Sequence, residues 1–297
     1  MATNTWTNTS TVILTNAVLE AFTAMIQPLT SFASDFSAAA AQRGSAVRVL
    51  YIPSQGSGAV DFAGSYAAGN TNAAGVDVVI NKHKFVSWGL TDVEFAVNNL
   101  IRIEQFGRQF GYLLAKSVLQ DIWSIITAAN FGAPIFTGAA STFDSNDLIA
   151  IKTIIDNLYW PEFDRLGVLS PAYYNGLLGD SDVRLAYAIG STLPGQQGKL
   201  TEIVGFTLNQ SALIPSNGEN LTGFVARPDA MAVACRYLDP QPGNTYLSAF
   251  ALTNDAGFTL GFRDYYNNDS GQRTQAVEAN YGYTMVNPSA LGRITSA

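Results

Sequence analysis

One long helical pattern limits what this chain can fold into. Thr91 and Glu94 have the spacing of a capping box, which marks a helix start. From there to Asn130, apolar residues recur at steps of three and four, as on one face of an α-helix. The predicted buried face consists of Ala96, Leu100, Ile103, Gly107, Phe110, Leu114, Val118, Ile122 and Ile125. A continuous helix over 91–130 would be about 60 Å long, which suits a thin subunit spanning a wall better than an enzyme pocket.

Two strand-like segments precede this helix, Val47–Pro53 and Val76–Val86, and both are rich in β-branched residues. Ser54–Gly75 lies between them and contains five glycines. A connection of that length is unusual inside a compact domain. Two interpretations stay open: a surface loop without fixed contacts, or a two-stranded arm that becomes ordered on a neighbouring subunit.

The first 44 residues have the pattern of an arm. A short helical stripe runs up to Pro28, and Leu29, Phe32 and Phe36 form a second amphipathic turn or two. Such a segment has too little apolar surface to fold alone. We therefore expect it to lie on the long helix or on a neighbouring subunit.

The chain after the long helix predicts a mixed α/β lobe followed by a β-hairpin. The hairpin is indicated by period-two alternation on both sides of a turn at 267–271. The predicted elements are a helix capped by Asp144 or Ser145, a strand at Arg165–Ser170, a helix from Pro171, strands at Glu202–Leu208 and Leu221–Ala226, a helix opened by Arg227-Pro228-Asp229, hairpin strands at Phe258–Phe262 and Gln275–Tyr283, and a last strand at Ala290–Ile294.

Composition points to self-association rather than to a nucleic-acid-binding protein. Charged residues make up only 13% of the chain, about half the usual 25%, so the surface is expected to meet other copies. A monomer with a neutral polar surface is the alternative. The net charge of −7 and the lack of a basic run argue against a protein that binds nucleic acid through its phosphates.

The sequence predicts no membrane contact. The first ten residues lack the features of a signal peptide, and the apolar pattern over 122–143 is interrupted too often for a membrane span.

The residues that usually carry catalysis are scarce. His83 is the only histidine and Cys235 the only cysteine, which excludes a zinc site and leaves no nucleophile–base pair. No calcium loop or phosphate-binding loop is present in the sequence. We therefore expect no cofactor, no metal site and no enzymatic activity.

In their order, these parts resemble the major capsid proteins of tailed bacteriophages, which share the Hong Kong 97-like fold with encapsulins. The resemblance rests on PLTSFASDFS before SAVRVLYIP, on the long helix, on FVARPDAMAVACRYL and on FTLGFRDYYNNDSGQRTQAVEANYGYTMVNPSALGRI. It implies an α+β fold with an N-terminal arm (1–44), an extended β-hairpin loop (45–90), a peripheral domain with a spine helix (91–144 and 253–297) and an axial α/β domain (145–252).

The same resemblance implies a structural coat protein that forms hexamers and pentamers of an icosahedral shell around double-stranded DNA. Its place would be the virion capsid, assembled in the host cytoplasm. Its partners would be other copies of itself, a separate scaffolding protein, portal and decoration proteins, and DNA held without sequence specificity. The alternatives are an encapsulin-type cargo shell and an α/β enzyme of unknown reaction.

Inter-subunit contacts are expected at Phe62 and Tyr66 in the extended loop, and at Leu29, Phe32 and Phe36 in the arm. Some members of the family cross-link a lysine to an asparagine. Here Lys82 and Lys84 lie near the base of the predicted loop, and its tip has no lysine. Covalent cross-linking is therefore not expected.

Deletion of residues 54–75 tests the extended-loop interpretation. Because these small residues form no core of their own, the shortened subunit should fold, yet it should no longer assemble. Circular dichroism checks the fold, and electron microscopy counts the particles. Particles of normal shape and yield would rule out an assembly role for the loop.

Overall fold

The computed structural model describes residues 7–30, 33–35, 46–51, 64, 74–97, 103–181, 183, 200, 202–240, 246–254 and 257–297. Its helices are α1 (Thr7–Thr30), α2 (Asp92–Val97), α3 (Ile103–Trp123), α4 (Ala128–Phe131), α5 (Ser145–Asn157) and α6 (Pro171–Gly179). Its strands are β1 (Ala33–Asp35), β2 (Ala46–Tyr51), β3 (Ala74–Val79), β4 (Lys82–Thr91), β5 (Phe136–Thr137), β6 (Leu166–Leu169), β7 (Glu202–Ile203), β8 (Phe206–Gln210), β9 (Leu221–Ala226), β10 (Met231–Cys235), β11 (Ser248–Thr253), β12 (Thr259–Asn267), β13 (Gln272–Met285) and β14 (Leu291–Thr295).

The main sheet is built around β13. Its strand order is β1-β10-β13-β12-β11, and β4 also pairs with β13. Tyr281 of β13 is aligned with Cys235 of β10 and with Lys82 of β4, so these two strands flank β13 on opposite sides. The hairpin predicted from the alternating pattern is therefore confirmed as β12 and β13, paired antiparallel.

Helix α3 covers one face of the main sheet. Its residues Phe110, Leu114, Val118 and Ile122 are buried, as the periodicity predicted. They lie in one apolar cluster with Leu260, Phe262, Val277 and Ala279 of the closing hairpin. The predicted buried face is thus confirmed for these four residues of α3, and the structure shows that it packs on the closing hairpin. Leu100 and the Ile103 side chain, which belong to the same predicted face, lie outside the described residues.

The predicted helix over 91–130 is wrong as one continuous rod. The capping box is present, because the Thr91 amide donates to Glu94 Oε2 (3.0 Å) and the Glu94 amide donates to Thr91 Oγ1 (3.3 Å). However, α3 ends at Trp123 and is 21 residues long, or about 32 Å. Asn217 Nδ2 donates to the carbonyl oxygens of Trp123 and Ile126, at 3.0 and 2.8 Å. These bonds satisfy carbonyls at the helix end that a continuing helix would use itself.

The predicted arm over 1–44 is corrected for residues 7–30, whereas the expectation that this segment lies on the long helix is confirmed for them. They form a single helix, α1, whose Leu14, Val18, Phe22, Ile26 and Leu29 lie in the same apolar cluster as α3. Leu29 is 5% exposed, so it packs inside its own subunit and is not an inter-subunit contact. The sequence pattern predicts two pieces because Pro28 interrupts it, yet the helix continues through Pro28 to Thr30.

Two glycines of α3 let α1 approach closely. A Cβ at Gly107 would come within 2.7 Å of the Leu14 carbonyl oxygen, and one at Gly111 would come still closer to that of Val18. Both contacts advance in the same direction along the two helices, so α1 and α3 run parallel. By length and composition alone, residues Thr11–Leu29 could also cross a membrane. In this structure their apolar side chains pack on α3 and the sheet.

The second sheet has the strand order β5-β14-β9-β6-β8-β7. Helices α5 and α6 cover one face through Leu148, Ile151, Tyr173 and Leu177. The other face meets the end of α3, where the Trp123 and Phe224 rings are 5.9 Å apart. The predicted helices at 145 and 171 and the strands near 166, 207, 222 and 292 are confirmed, with Asp144 as the cap of α5.

The predicted boundaries of the axial domain (145–252) do not follow the sheets. β10 and β11 belong to the main sheet, whereas β5 and β14, which were predicted in the peripheral domain, belong to the second. The helix predicted after Asp229 is instead strand β10, and all five of its residues are buried. A strand covered on both faces has no period-two alternation, so its pattern imitates that of a buried helix.

The β2–β3 hairpin lies on the face of the main sheet opposite α3. Val47, Val49 and Val78 pack there against Ala232 and Ala234 of β10. The predicted pairing of the two strand-like segments is confirmed for Ala46–Tyr51 with Ala74–Val79. The extended loop predicted over 45–90 is corrected beyond Val79, because the chain leaves the hairpin at Ile80–Asn81 and β4 joins β13.

Substitution of Leu114 by Asp tests the core between α3 and the sheet. Leu114 is 1% exposed, and burying an unpaired carboxylate there should lower the free energy of unfolding by more than about 3 kcal/mol. The neighbouring Leu113 is 41% exposed, so Leu113→Asp is a matched control that should fold. The yield and thermal unfolding of the soluble subunit measure both. Equal stability of the two variants would contradict this packing.

Candidate assembly surfaces

Most described cations are bound by carboxylates of the same chain. Only Lys82 and Lys116, among the lysines that the structure describes, have no ion pair. The described ion pairs are Arg48–Asp77, His83–Glu278, Lys84–Asp121, Arg108 with Glu20 and Glu104, Lys152–Asp156, Arg165–Asp156, Arg227–Asp229, Arg263–Glu278, Arg273–Asp264 and Arg293–Glu219. Little free positive charge is therefore left on this part of the chain for phosphate contacts.

A polar contact fixes the rotation of α3 on the main sheet. Asp121 of α3 accepts hydrogen bonds from Lys84 Nζ on β4 (2.9 Å) and from the Tyr281 hydroxyl on β13 (2.8 Å). Burial raises the pKa of Tyr281, and the hydrogen bond to Asp121 raises it further. The hydroxyl therefore stays protonated and donates to the carboxylate. This charged contact holds one side of the helix to two strands at once.

The single histidine takes part in a network on the opposite face of the sheet. His83 Nε2 lies 3.0 Å from Glu278 Oε2, and Arg263 Nε donates to Glu278 Oε1 at 2.8 Å. The Glu278 side chain is 8% exposed. Burial lowers the pKa of Arg263, but the hydrogen bonds and charge interactions with Glu278 and Tyr246 together outweigh it, so the net change is a rise. Sequence reasoning found no acid near His83 because Glu278 is distant in the chain and is brought close only by the β4–β13 pairing.

The end of α3 is held to the second sheet by side chains of the turn between β8 and β9. Asn217 donates to the carbonyls at the end of the helix, as described above. Glu219 Oε2 accepts from the Ala128 amide (2.8 Å) and is ion-paired with Arg293 of β14. Arg293 is 1% exposed and also donates to the Gly132 carbonyl (2.7 Å). These contacts join the two sheets through one helix end.

Most of the expected inter-subunit residues are not among those that the structure describes. Phe62, Tyr66, Phe32 and Phe36 lie outside the described residues, and Leu29 is buried in the core. Large apolar side chains are exposed elsewhere, and such groups mark candidate contact sites. They include Leu50 and Val79 on the outer side of the β2–β3 hairpin, Phe85 on β4, Tyr112 and Leu113 on α3, and Leu158, Tyr159 and Phe163 between α5 and β6.

Sequence reasoning missed the last of these groups. Its signal was the run Leu158–Asp164, in which four large apolar residues surround a proline between a predicted helix and a predicted strand. Local periodicity says nothing about which of them is exposed. In the structure Trp160 is 5% exposed, whereas Tyr159 is 93% exposed.

Comparison with solved structures places the fold among viral shells. The chain aligns with the capsid protein of cyanophage P-SCSP1u at a TM-score of 0.62 and 15% identity, covering 86% of this chain and 84% of that one. With the mature capsid of bacteriophage PhiM1 the TM-score is 0.60 and the identity 13%, and the alignment covers 90% of this chain and 86% of that one. A virus-like particle from Pyrococcus furiosus aligns at a TM-score of 0.53 and 14% identity, covering 95% of this chain and 97% of that one.

No family model matches the sequence, and no curated protein matches it either. The likeness is therefore one of three-dimensional structure, and it runs over most of both chains. An α+β arrangement of helices and sheets common to these capsid proteins accounts for it. The chain has the fold of phage major capsid proteins.

Proposed function

We propose that this protein is a structural coat protein whose copies assemble into a closed shell. The observation that carries the proposal is the likeness to phage capsid structures over 84–86% of their own chains. A fold shared with other proteins does not by itself imply their function. The charge-poor composition and the exposed apolar groups on several elements add independent support for self-association.

In the finer proposal, hexamers and pentamers form an icosahedral shell around double-stranded DNA, within a virion assembled in the host cytoplasm. The net charge of −7 and the internal pairing of most described cations favour a wall that does not grip the packaged duplex. A scaffolding protein, a portal and decoration proteins would be its further partners. The Hong Kong 97-like division would make the main sheet with α1 and α3 the peripheral domain, and the second sheet the axial domain.

Of the segment 54–75 predicted to lie on a neighbouring subunit, the part before β3 stays a proposal, with Phe62 and Tyr66 as its contacts. Phe32 and Phe36 remain proposed contacts of the segment that follows α1. Both proposals rest on the sequence pattern and on the resemblance stated above. The base of the loop, β2–β3, packs on its own subunit, so a loop extending from it would start from a fixed position.

An encapsulin-type cargo shell is the second candidate and is less supported. Phage capsids are the more numerous of the structural neighbours, which favours a phage coat protein over a cargo shell. An α/β enzyme has still less support, because these structural neighbours are shell proteins.

Size measurement of the purified protein tests the proposal. We expect gel filtration and negative-stain microscopy to show capsomers or closed particles of megadalton mass, because each subunit would contact several neighbours. Two variants distinguish a loss of folding from a loss of assembly. Leu114→Asp should reduce the yield of soluble subunit, whereas Leu113→Asp should leave the subunit folded, so its effect on particle formation can be measured. A stable monomer or dimer at all concentrations and salt conditions would contradict a shell function.

A further inference from the structure

An exposed loop between α5 and β6 is held rigidly by buried groups. This segment, residues 158–164, is called the aromatic loop below. Arg165 is 3% exposed and donates to the carbonyl oxygens of Pro161 (2.6 Å) and Trp160 (2.7 Å). It also binds Asp156 Oδ1 at 2.6 Å, so one guanidinium ties the loop to the end of α5.

Trp160 anchors the aromatic loop from within. Its indole nitrogen donates to the Ser289 carbonyl at 2.9 Å, and the Arg227 guanidinium lies 5.5 Å from its ring centroid. The loop therefore contacts the chain segments that join the two sheets, near β9–β10 and β13–β14. Such anchoring reduces the conformational entropy that the loop would lose on binding a partner.

The residues that this frame holds outward are large and apolar. Tyr159 is 93% exposed, Phe163 71% and Leu158 52%. Tyr159 adopts φ 56°, a left-handed conformation that is unfavourable for a bulky side chain, and Asp164 adopts φ 58°, which aspartate tolerates better. A strained, rigid loop that presents aromatic side chains to solvent is typical of a binding element rather than of a passive connection.

A complementary surface lies on α3 of the main-sheet lobe. Tyr112 and Leu113 are 43% and 41% exposed, and Lys116 follows one turn later on the same side of the helix. Lys116 has no ion pair within the described residues, and neither do the aromatic loop's acids, Glu162 and Asp164. One surface thus joins exposed apolar groups to unpaired negative charge, and the other joins them to unpaired positive charge.

We propose that the aromatic loop of one copy binds the Tyr112–Lys116 face of α3 in a second copy. Both surfaces are exposed in the subunit, so their contact requires two copies. Because the two surfaces differ, the contact is heterologous, and such contacts generate rings when the rotation closes. This inference deepens the proposed function and rests on it, since it names the surfaces through which neighbouring copies of a coat protein meet.

The aromatic side chains are tested by the double variant Tyr159→Asn with Phe163→Ser. Asn tolerates the left-handed conformation better than Tyr, so the thermal unfolding of the subunit should be unchanged. The assembled fraction should fall by about 30-fold or more, as expected for interface anchors. Wild-type protein that forms no particles would instead contradict the proposed function. Assembly of both proteins at equal yield would overturn only this inference, and equal yield with less packaged nucleic acid would point to DNA as the loop's partner.

Charge reversal tests the choice of α3. Glu162→Lys and Lys116→Glu should each lower the assembled fraction by about tenfold, because like charges would face each other. The two changes together should restore assembly. Glu162→Lys combined with Lys82→Glu is the matched control. It should not restore assembly, because Lys82 lies outside the proposed contact. Failure of the Glu162→Lys/Lys116→Glu variant to recover, or recovery with Lys82→Glu, would overturn the assignment.

Discussion

The pairing of β13 with three other strands is the constraint on which the rest of the structure depends. This strand carries Val277, Ala279 and Tyr281 on the face that α3 covers, and it aligns β4, β10 and β12 around itself. Its Tyr281 hydroxyl reaches Asp121, and Lys84 of the adjacent strand binds the same carboxylate. The rotation of α3 is therefore set by the sheet. The position of α1 follows from it, because Gly107 and Gly111 are the places where α1 can approach.

The two sheets are connected through the end of α3 rather than through a flexible linker. Asn217 binds the helix carbonyls, and Glu219 and Arg293 extend this contact to the second sheet. The chain also passes between the sheets three times, after α3, after β9 and after β13. Removing one partner of a buried ion pair is costly because the other charge is left uncompensated. These features hold the two sheets together within one folded subunit.

Features with a local cause could be predicted from the sequence. The capping box at Thr91, the buried face of α3 and the alternating hairpin each depend on residues close together in the chain. The end of α3 could not be predicted, since the amide that stops it belongs to Asn217, far along the chain. Strand β10 has the sequence pattern of a helix because it is buried on both faces. The interruption at Pro28 conceals one continuous helix, so the pattern does not show that Leu29 is buried within its own subunit. The exposed Tyr159 and Phe163 were missed, since a sequence of aromatic residues does not show which of them a buried arginine will turn outward.

The position of β13 after α1 and α3 in the chain has a consequence for synthesis on the ribosome. Helices α1 and α3 are translated before β12 and β13, whose side chains cover part of their apolar face. Domains generally fold as units during translation, and here the main unit cannot close until Met285 has been released from the ribosome. A chain that stops early lacks the centre of this sheet and keeps Leu114 and Val118 uncovered. Chains that stop before β13 therefore lack the folded main sheet on which the proposed assembly would depend.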